Sequence, residues 1–546
     1  MPSDKEFTRR SREGFTRRPR DAGGLDLVAD VLVIGGGPAG AWAAVAAAGA
    51  GAHVVLVDKG YLGTSGATAP SNTGTWFVPP GEGRRRAVAE RQPRTGGLAD
   101  PRWVERTLDT AWEKLHVLAA WGYPFPCDDE GRPYLANLRG PDYMHFMRRR
   151  VSAAGVSILD QHPALELLGA GDAIAGAAGV DRQRDRAWRV RAGAVVLATG
   201  GCAFGERMLG AAALTGDGYL MAAEAGAPLS GMEFSAQYAF TPKPSALNKG
   251  LPFRWASFTR EDGSPIATAG RDRHAAVAEA LLEGPVFAQY DRAAPEVQAW
   301  LRQGQPNCFL PLDRTGVDPF TERWPVTLRC EGTVRGVGGI RLLDDECATG
   351  VPGLYAAGDA ASRERVTGAI SGGGGPNSSW AIASGNWAGR AAARFAARLG
   401  ARIAARPVTA LGQSGLRPAG MVREGLDPLE IIRAVREELL PLERNFFRRA
   451  EILRESLGRL DACWDALRHH GPGDGLATIK AREAAALTAT SRWAYRSALA
   501  RGESRGMHRR RDRPHVDAGF ACSLYASGLD SVRVARADGR SIAAAS

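Results

Sequence analysis

Asp30-Val31-Leu32-Val33-Ile34-Gly35-Gly36-Gly37-Pro38-Ala39-Gly40 is a short apolar run, rich in β-branched residues, that ends in Gly-x-Gly-x-x-Gly. An Ala-rich segment follows at 41–50, then a second apolar run at 53–57 closed by Asp58. The pattern reads as strand, tight turn, helix, strand. Gly35 permits the sharp turn, Gly37 lets the backbone approach a pyrophosphate, and Gly40 lets the helix pack closely on the sheet. The helix N-terminus presents free N–H groups and a positive dipole end to the phosphates. Asp58 stands about twenty residues past the glycines, where a carboxylate takes ribose hydroxyls. The motif alone does not separate FAD from NAD.

The strand-into-glycine theme recurs downstream. Residues 192–201 read as a buried parallel strand ending in Thr199-Gly200-Gly201, and Thr215-Gly216-Asp217-Gly218 opens a helix. Asp217 in that place also suits a helix N-cap. Residues 353–359 form another strand ending in Gly358-Asp359, and the Gly-rich stretch 372–375 leads through Asn377, Ser378 and Ser379 into a helix of small residues. Between these segments, 231–345 changes character, with frequent turns and aromatics, and reads as an inserted domain. The apolar spacing at 101–121 predicts an amphipathic helix, and 429–467 and 478–500 read as long helices of a C-terminal domain.

The chain has 546 residues, of which 44% are apolar, enough for two or three domains with a large core. No apolar run approaches the ~20 residues of a membrane span. Net charge is +11, part of it from a polar, basic stretch at 1–26 that reads as a disordered tail. Arg9-Arg10 is followed by no apolar segment of an export signal, and no nucleic-acid module stands behind the tail. The seven cysteines are scattered and none forms Cys-x-x-Cys, which argues against a disulfide framework or a metal cluster within the chain and suits a cytoplasmic setting.

The order of motifs resembles the flavoprotein subunit family of fumarate reductase and succinate dehydrogenase, which also holds L-aspartate oxidase and the adenylylsulfate reductase alpha subunit. The carriers are the glycines 35–40, Trp121-Gly122-Tyr123-Pro124-Phe125, 198–201, 215–218, Met232-Glu233-Phe234, Gly270-Arg271-Asp272, Gly284-Pro285-Val286, Gly338-Gly339-Ile340, 353–359, Asn377-Ser378 and the stretch 501–508. The likeness covers most of the chain, from about Leu27 to Asp517.

The resemblance implies an α/β fold: a Rossmann-type FAD-binding domain in two parts (27–230 and 346–406), an inserted α+β capping domain (231–345), a C-terminal helical domain (425–515) and an extension at 516–546. It implies an FAD-dependent oxidoreductase that transfers a hydride between flavin and a small organic substrate held between flavin and cap. Gly35, Gly37 and Gly40, with Pro38 and Ala39, would hold the pyrophosphate and Asp58 the ribose. Ser65 and Ala67 match loop positions beside the flavin, Asp217 and Asp359 match acidic cofactor contacts, and Ser378 and Ser379 match residues under the ring. Lys59, Thr199, Gly200 and Asn377 complete the cofactor-binding candidates. Membrane-linked members carry a histidine in the loop that bonds covalently to FAD. Here Ser65-Gly66-Ala67 holds none, so the FAD is expected to be noncovalent. Arg271 matches the proton-transfer arginine; the bland alternative is an ion pair between Arg271 and Asp272 or Glu279.

Other family positions differ. Histidines expected after Met232-Glu233-Phe234 and before Gly338-Gly339 are missing, with Val334 and Arg335 at the second place, and an arginine expected before Asn377 is replaced by glycines. Recognition of a dicarboxylate wants donors on both carboxylates, so succinate, fumarate and aspartate are disfavoured as substrates. Trp76, Phe77, Tyr238, Trp255 and Phe258 either border the flavin or belong to the core. Arg505 and His508 read as an interlock between helical and flavin domains. Three other readings remain open: a subunit that passes electrons to an iron–sulfur or other electron-transfer partner, an NAD-dependent dehydrogenase, and a flavin-binding protein without catalysis.

Overall fold

The computed structural model describes residues 24–542 except 128, 129, 249, 271, 424, 472 and 474. The basic tail of the sequence reading lies almost wholly outside these residues.

Strand β1 (Leu25–Ile34) and helix α1 (Pro38–Gly49) bear out the opening motif. β1 runs parallel to β2 (Val54–Val57), and every residue of β2 is buried. Helices α2 (Pro101–Ala120) and α3 (Gly140–Ala153) follow. Asp100 caps α2 by accepting from Arg102 N, and Trp103, Leu108, Ala111, Leu115 and Leu118 form its buried stripe. The chain re-enters the sheet as β3 (Ser157–Leu159), parallel to β2. An antiparallel hairpin then forms from β4 (Ala164–Ala170) and β5 (Ala173–Asp181). β6 (Arg186–Leu197) serves two partners on one side. Its first half pairs antiparallel with β5, its last residues pair parallel with a later strand, and its other side runs parallel to β1. The sheet therefore splits along β6, with a parallel doubly wound part and an antiparallel flap. Helix α4 (Asp217–Glu224) and the two-residue strand β7 (Leu229–Ser230) end this part.

The segment that changes character folds as a four-stranded antiparallel sheet in the order β8-β11-β10-β9, built from β8 (Tyr238–Pro242), β9 (Ser257–Arg260), β10 (Val286–Gln289) and β11 (Trp324–Cys330). Helix α5 (Arg273–Glu283) contributes buried alanines to its core. Phe240, Phe253, Phe258, Tyr290 and Trp324 pack against one another with ring centroids 4.9–6.4 Å apart. The chain leaves through β12 (Gly339–Ile340), which pairs antiparallel with β7. Entry to and exit from the inserted unit are thus paired side by side.

β13 (Leu354–Ala356) completes the parallel sheet on the far side of β6. Helix α6 (Gly374–Ala397) crosses α1 at backbone distance. A Cβ on Gly385 would meet Ala39 O at 2.4 Å, and one on Gly389 would meet Ala43 O at 2.2 Å. β14 (Thr409–Ala410) edges the flap. The pattern 429–467, read as one long helix, is two: α7 (Pro428–Leu439) and α8 (Ala450–His469). Pro441 has no N–H to continue the first helix, and a π turn at Leu442–Phe446 redirects the chain. α9 (Leu476–Ala500) is buried along most of its length. The final segment holds short strands, β15 (Leu524–Ser527) and β16 (Arg533–Arg536), and β15 adds to β7 in a sheet of order β12-β7-β15-β16.

Candidate functional site

The parallel strands deliver their C-terminal ends to one edge, and five expected positions stand within three residues of those ends. Gly35 follows β1, Asp58 follows β2, Thr199 and Gly200 follow β6, and Asp359 follows β13. Ligands of open parallel sheets lie outside this edge. A cleft with about 1510 Å³ of empty space, counting its mouth, opens there and continues to the wall made by Val334 and Arg335 just after β11. Gly35, Gly37, Pro38, Ala39, Asp58, Lys59, Ser65, Ala67, Thr199, Gly200, Asp217, Asp359, Asn377 and Ser378 line it. Gly40 and Ser379, of the expected set, do not.

The glycines divide by their surroundings. Gly35 has φ +108°, which suits glycine in a tight turn. A Cβ on Gly40 would stand 1.8 Å from Gly35 O, so Gly40 serves the packing of α1 on the turn. Gly37 is the N-cap of α1 with φ −71°, a backbone that any residue adopts, and a Cβ there would meet nothing within 4 Å. Folding alone gives no reason for glycine at 37; a group lying against the helix N-terminus does.

Asp58 secures the turn. Its Oδ2 accepts from Gly36 N at 2.5 Å, and its Oδ1 accepts from Gly60 N and Ser65 Oγ, each at 2.7 Å. Ser65, expected beside the flavin, therefore stands next to Asp58. Lys59 is held on three sides, with its Nζ 3.0 Å from Asp217 Oδ2, 3.0 Å from Thr215 Oγ1 and 2.7 Å from Glu483 Oε1. Burial alone would push this ammonium down, but Asp217 and Glu483 outweigh it and hold the group above its ordinary range. Asp217 is not the helix cap, because Gly216 occupies that position; its carboxylate instead accepts from Thr215 Oγ1 and Lys59. Asp359 pairs with Arg363, whose guanidinium also donates to the carbonyls of Thr333, Val334 and Gly336.

Two polar groups on the wall have no hydrogen-bond partner among the described residues, the buried Thr199 Oγ1 and Asn377 Oδ1. Orphans of this kind cost free energy unless a ligand satisfies them. With the space before Gly37 and the open N-terminus of α1, they fit a dinucleotide such as FAD. Ser378 borders the cleft, whereas the buried Ser379 Oγ accepts from Trp76 N at 2.9 Å and fixes the loop behind it.

The cap side differs from expectation in several places. Arg271 lies outside the described residues. Asp272 caps α5 through His274 N at 3.0 Å and pairs with Arg509 at 2.7 Å. His274 stacks on Phe240 at 4.3 Å, and burial pushes its pKa down to about 4, so it is a neutral core residue. Trp76, Phe77, Tyr238, Trp255 and Phe258 do not line the cleft. Phe77 stacks on Trp112 at 4.4 Å, Trp76 carries Arg91 on its face, Trp255 meets Trp300, and Tyr238 and Phe258 are buried. Arg505 makes the expected link from the helical to the flavin domain through Gly96 O and also bonds Glu503 and Asp517 O, whereas His508 bonds Arg448 and Arg501 O within the C-terminal part.

Sequence reasoning did not single out Glu483, His162 or Arg182. Glu483 sits three residues from Lys480 and reads as a surface pair, although its carboxylate reaches Lys59 from α9. His162 and Arg182 border the cleft near Asp58, and His162 N donates to Asp58 O at 2.8 Å.

Comparison with known proteins agrees with this geometry. A family model described as an FAD binding domain matches residues 30–140 and 134–246, and one described as the fumarate reductase flavoprotein C-terminus matches 440–534. The L-aspartate oxidase of Mycobacterium tuberculosis is 28% identical over 545 residues, covering 92% of this chain and 96% of its own. The fumarate reductase flavoprotein subunit of the same organism is 31% identical over 246 residues, 41% of this chain and 40% of that one. Among solved structures, the quinol fumarate reductase of E. coli superposes with a TM-score of 0.78 at 22% identity, covering 94% of this chain and 97% of that one, a likeness of fold. No helix among the described residues is long and apolar enough to cross a membrane. The matched FAD binding domain and flavoprotein C-terminal domain, together with these relatives, fit the family of FAD-dependent oxidoreductases that holds the fumarate reductase and succinate dehydrogenase flavoproteins and L-aspartate oxidase.

Proposed function

We propose that the chain binds FAD noncovalently in the cleft and moves a hydride between the flavin and a small organic acid at the cap hinge. The observation that carries this is the continuity of the cleft, which joins the helix N-terminus at Gly37 to the cap's return segment at Val334 and Arg335. When bound, FAD supplies the redox chemistry. The residues of the chain do the rest. The N–H groups of α1 and the space before Gly37 take the pyrophosphate. Asp58 has one lone-pair direction left for a ribose hydroxyl, and Lys59, neutralised by Asp217 and Glu483, fixes the wall. Thr199 and Asn377 offer their unsatisfied oxygens to donors of the cofactor. Ser65-Gly66-Ala67 offers no histidine for a covalent link.

We assign the proton to Arg271, on the match of Arg271-Asp272 alone. An arginine serves there only if its site destabilises the cation or relays the proton. The hinge formed by β7 and β12 provides the axis for cap motion over the substrate. Among the described residues, the histidine that lines the cleft is His162, beside Asp58 rather than at the cap, which keeps succinate, fumarate and aspartate disfavoured. A panel of organic acids, screened with the purified protein and an artificial dye as electron acceptor, tests the reading. Arg271→Ala should abolish turnover while FAD stays bound, and normal turnover in that variant would remove Arg271 from the mechanism.

The relatives named as subunits favour a second reading, in which electrons pass to a separate iron–sulfur partner. The isolated chain would then be slow with natural acceptors and fast with the dye.

A further inference from the structure

We propose that a second cavity, set where the cap's entry and exit strands meet the flavin domain, binds a small oxyanion. Its walls share no residue with the flavin cleft, so the two sites stand or fall separately. The cavity has about 330 Å³ of empty space, counting its mouth. Ser230 of β7, Arg341 just after β12 and Tyr525 of β15 line it from the cap's attachment. Trp103 of α2, Glu364 and Trp380 of α6 line it from the flavin domain.

Folding leaves this space with unanswered polar atoms. Arg341 Nε, Trp103 Nε1 and Glu364 Oε1 have no hydrogen-bond partner among the described residues. Trp103 is 1% exposed and Glu364 2%. Orphans of this kind cost free energy unless a ligand answers them, and three border one small cavity. Two are N–H donors. The third belongs to a carboxyl group whose Oε2 accepts from Ser230 Oγ at 2.7 Å. Burial and then Glu233 push this carboxyl up to about 7, against Ser230, Arg501 and Ser523. In its neutral form Glu364 also donates, so three donors converge on the oxygens of one ligand. The charge agrees. The guanidinium of Arg341 rests on Tyr525, 4.1 Å from the ring centroid, and that of Arg365, which also borders the cavity, rests on Trp103 at 5.1 Å. Stacking fixes both planes without using their N–H groups. Two cations beside one carboxyl group that is neutral in about half of the molecules at pH 7 favour an anion over a cation. The volume suits an ion of formate or bicarbonate size. Bound there, it would join the cap's attachment to α2 and α6. Trp380 Nε1 in turn donates at 2.9 Å to Gly358 O, on the border of the flavin cleft, so occupancy stiffens the cap's attachment beside the cofactor.

The test titrates the full chain, as purified with its FAD, with sodium formate by calorimetry at constant ionic strength. Wild-type protein should bind formate saturably, with a Kd on the order of 1 mM. Arg341→Gln should weaken formate roughly tenfold or more, and Arg341→Lys, which keeps the charge and loses Nε, should fall between. Trp103→Phe removes one N–H and should weaken formate about fivefold. Arg335→Gln, on the wall of the flavin cleft, should leave the affinity unchanged. Between pH 6 and pH 8 the neutral fraction of Glu364 falls from about nine-tenths to about one-tenth, so wild-type affinity should drop by up to roughly ninefold. Glu364→Gln keeps an N–H donor in place of the proton and should hold the pH 6 affinity throughout. No saturable binding by the wild type would mean a cavity that holds only water and would overturn the proposal. So would wild-type affinity in both Arg341→Gln and Trp103→Phe, or a loss in Arg335→Gln alone, which would place formate in the flavin cleft. The wild-type pH profile retained in Glu364→Gln would overturn the three-donor site.

Discussion

Alanine at Gly37 and at Gly40 should fail in opposite ways, although the two glycines lie three residues apart in one turn. At Gly40 the new Cβ would stand 1.8 Å from Gly35 O, and a real contact needs at least 3.0 Å. The obstacle is backbone, so α1 must lift from the β1 turn by more than an ångström. Overpacking of this kind costs about 1–3 kcal/mol or more, and the variant should unfold at lower temperature with or without FAD. At Gly37 the Cβ meets nothing within 4 Å and φ is −71°. The apoprotein should keep its stability, or gain about 0.4–1 kcal/mol from the stiffer unfolded chain. The same methyl projects into the space assigned to the pyrophosphate. The clash should cost about 1–3 kcal/mol of cofactor binding, roughly five- to 150-fold in Kd. Thermal melts of the two apoproteins and FAD titration by fluorescence quenching separate the effects. A Gly37→Ala apoprotein as damaged as Gly40→Ala, or one that binds FAD like the wild type, would refute this division of roles.

Three further outcomes follow from the same contacts. Glu483→Gln strips one of the two carboxylates from the half-buried Lys59 and leaves Asp217 in place, so the protein should lose about 1 kcal/mol and bind FAD more weakly, as read by denaturant melts and FAD titration. Burial, with Glu233 nearby, pushes Glu364 up to about 7. The folded chain therefore keeps a proton that the unfolded chain releases near pH 4.3, so this group makes stability fall as pH rises from about 4.3 to 7 and level off above. Glu364→Gln removes that slope, and its melting temperature should gain on the wild type between pH 5 and pH 8; parallel profiles would contradict the assignment. Acid precipitation should leave FAD in the supernatant, and flavin retained in the pellet would mean a covalent link despite Ser65-Gly66-Ala67.

Much of the cofactor edge was legible because its signals are local. The β1–Gly35–α1–Asp58 unit lies within one stretch of the chain, where periodicity and glycine spacing report directly on backbone geometry. Thr199, Asp359 and Asn377 were legible because strand-into-glycine segments announce themselves wherever they stand. Glu483 was not, because its meaning depends on a contact with Lys59, more than four hundred residues away, while its own neighbourhood shows only an ordinary Lys480–Glu483 pair. The break between α7 and α8 was hidden by leucines that keep helical spacing across Pro441. The aromatics near the flavin loops gave an ambiguous signal, since large rings serve cores and ligand walls alike. Packing of Tyr238 and Phe258 within the protein decides for the core. Arg335 was noticed as a substitution, but its place at the cleft beside Glu331 shows only in the fold.

The missing carboxylate contacts predict an FAD oxidoreductase that oxidises neither succinate nor L-aspartate. The visible spectrum of the purified protein, recorded anaerobically before and after succinate or L-aspartate, tests it most directly. Neither compound should bleach the flavin bands. Rapid bleaching by either would contradict it and mean that other residues supply the missing carboxylate contacts.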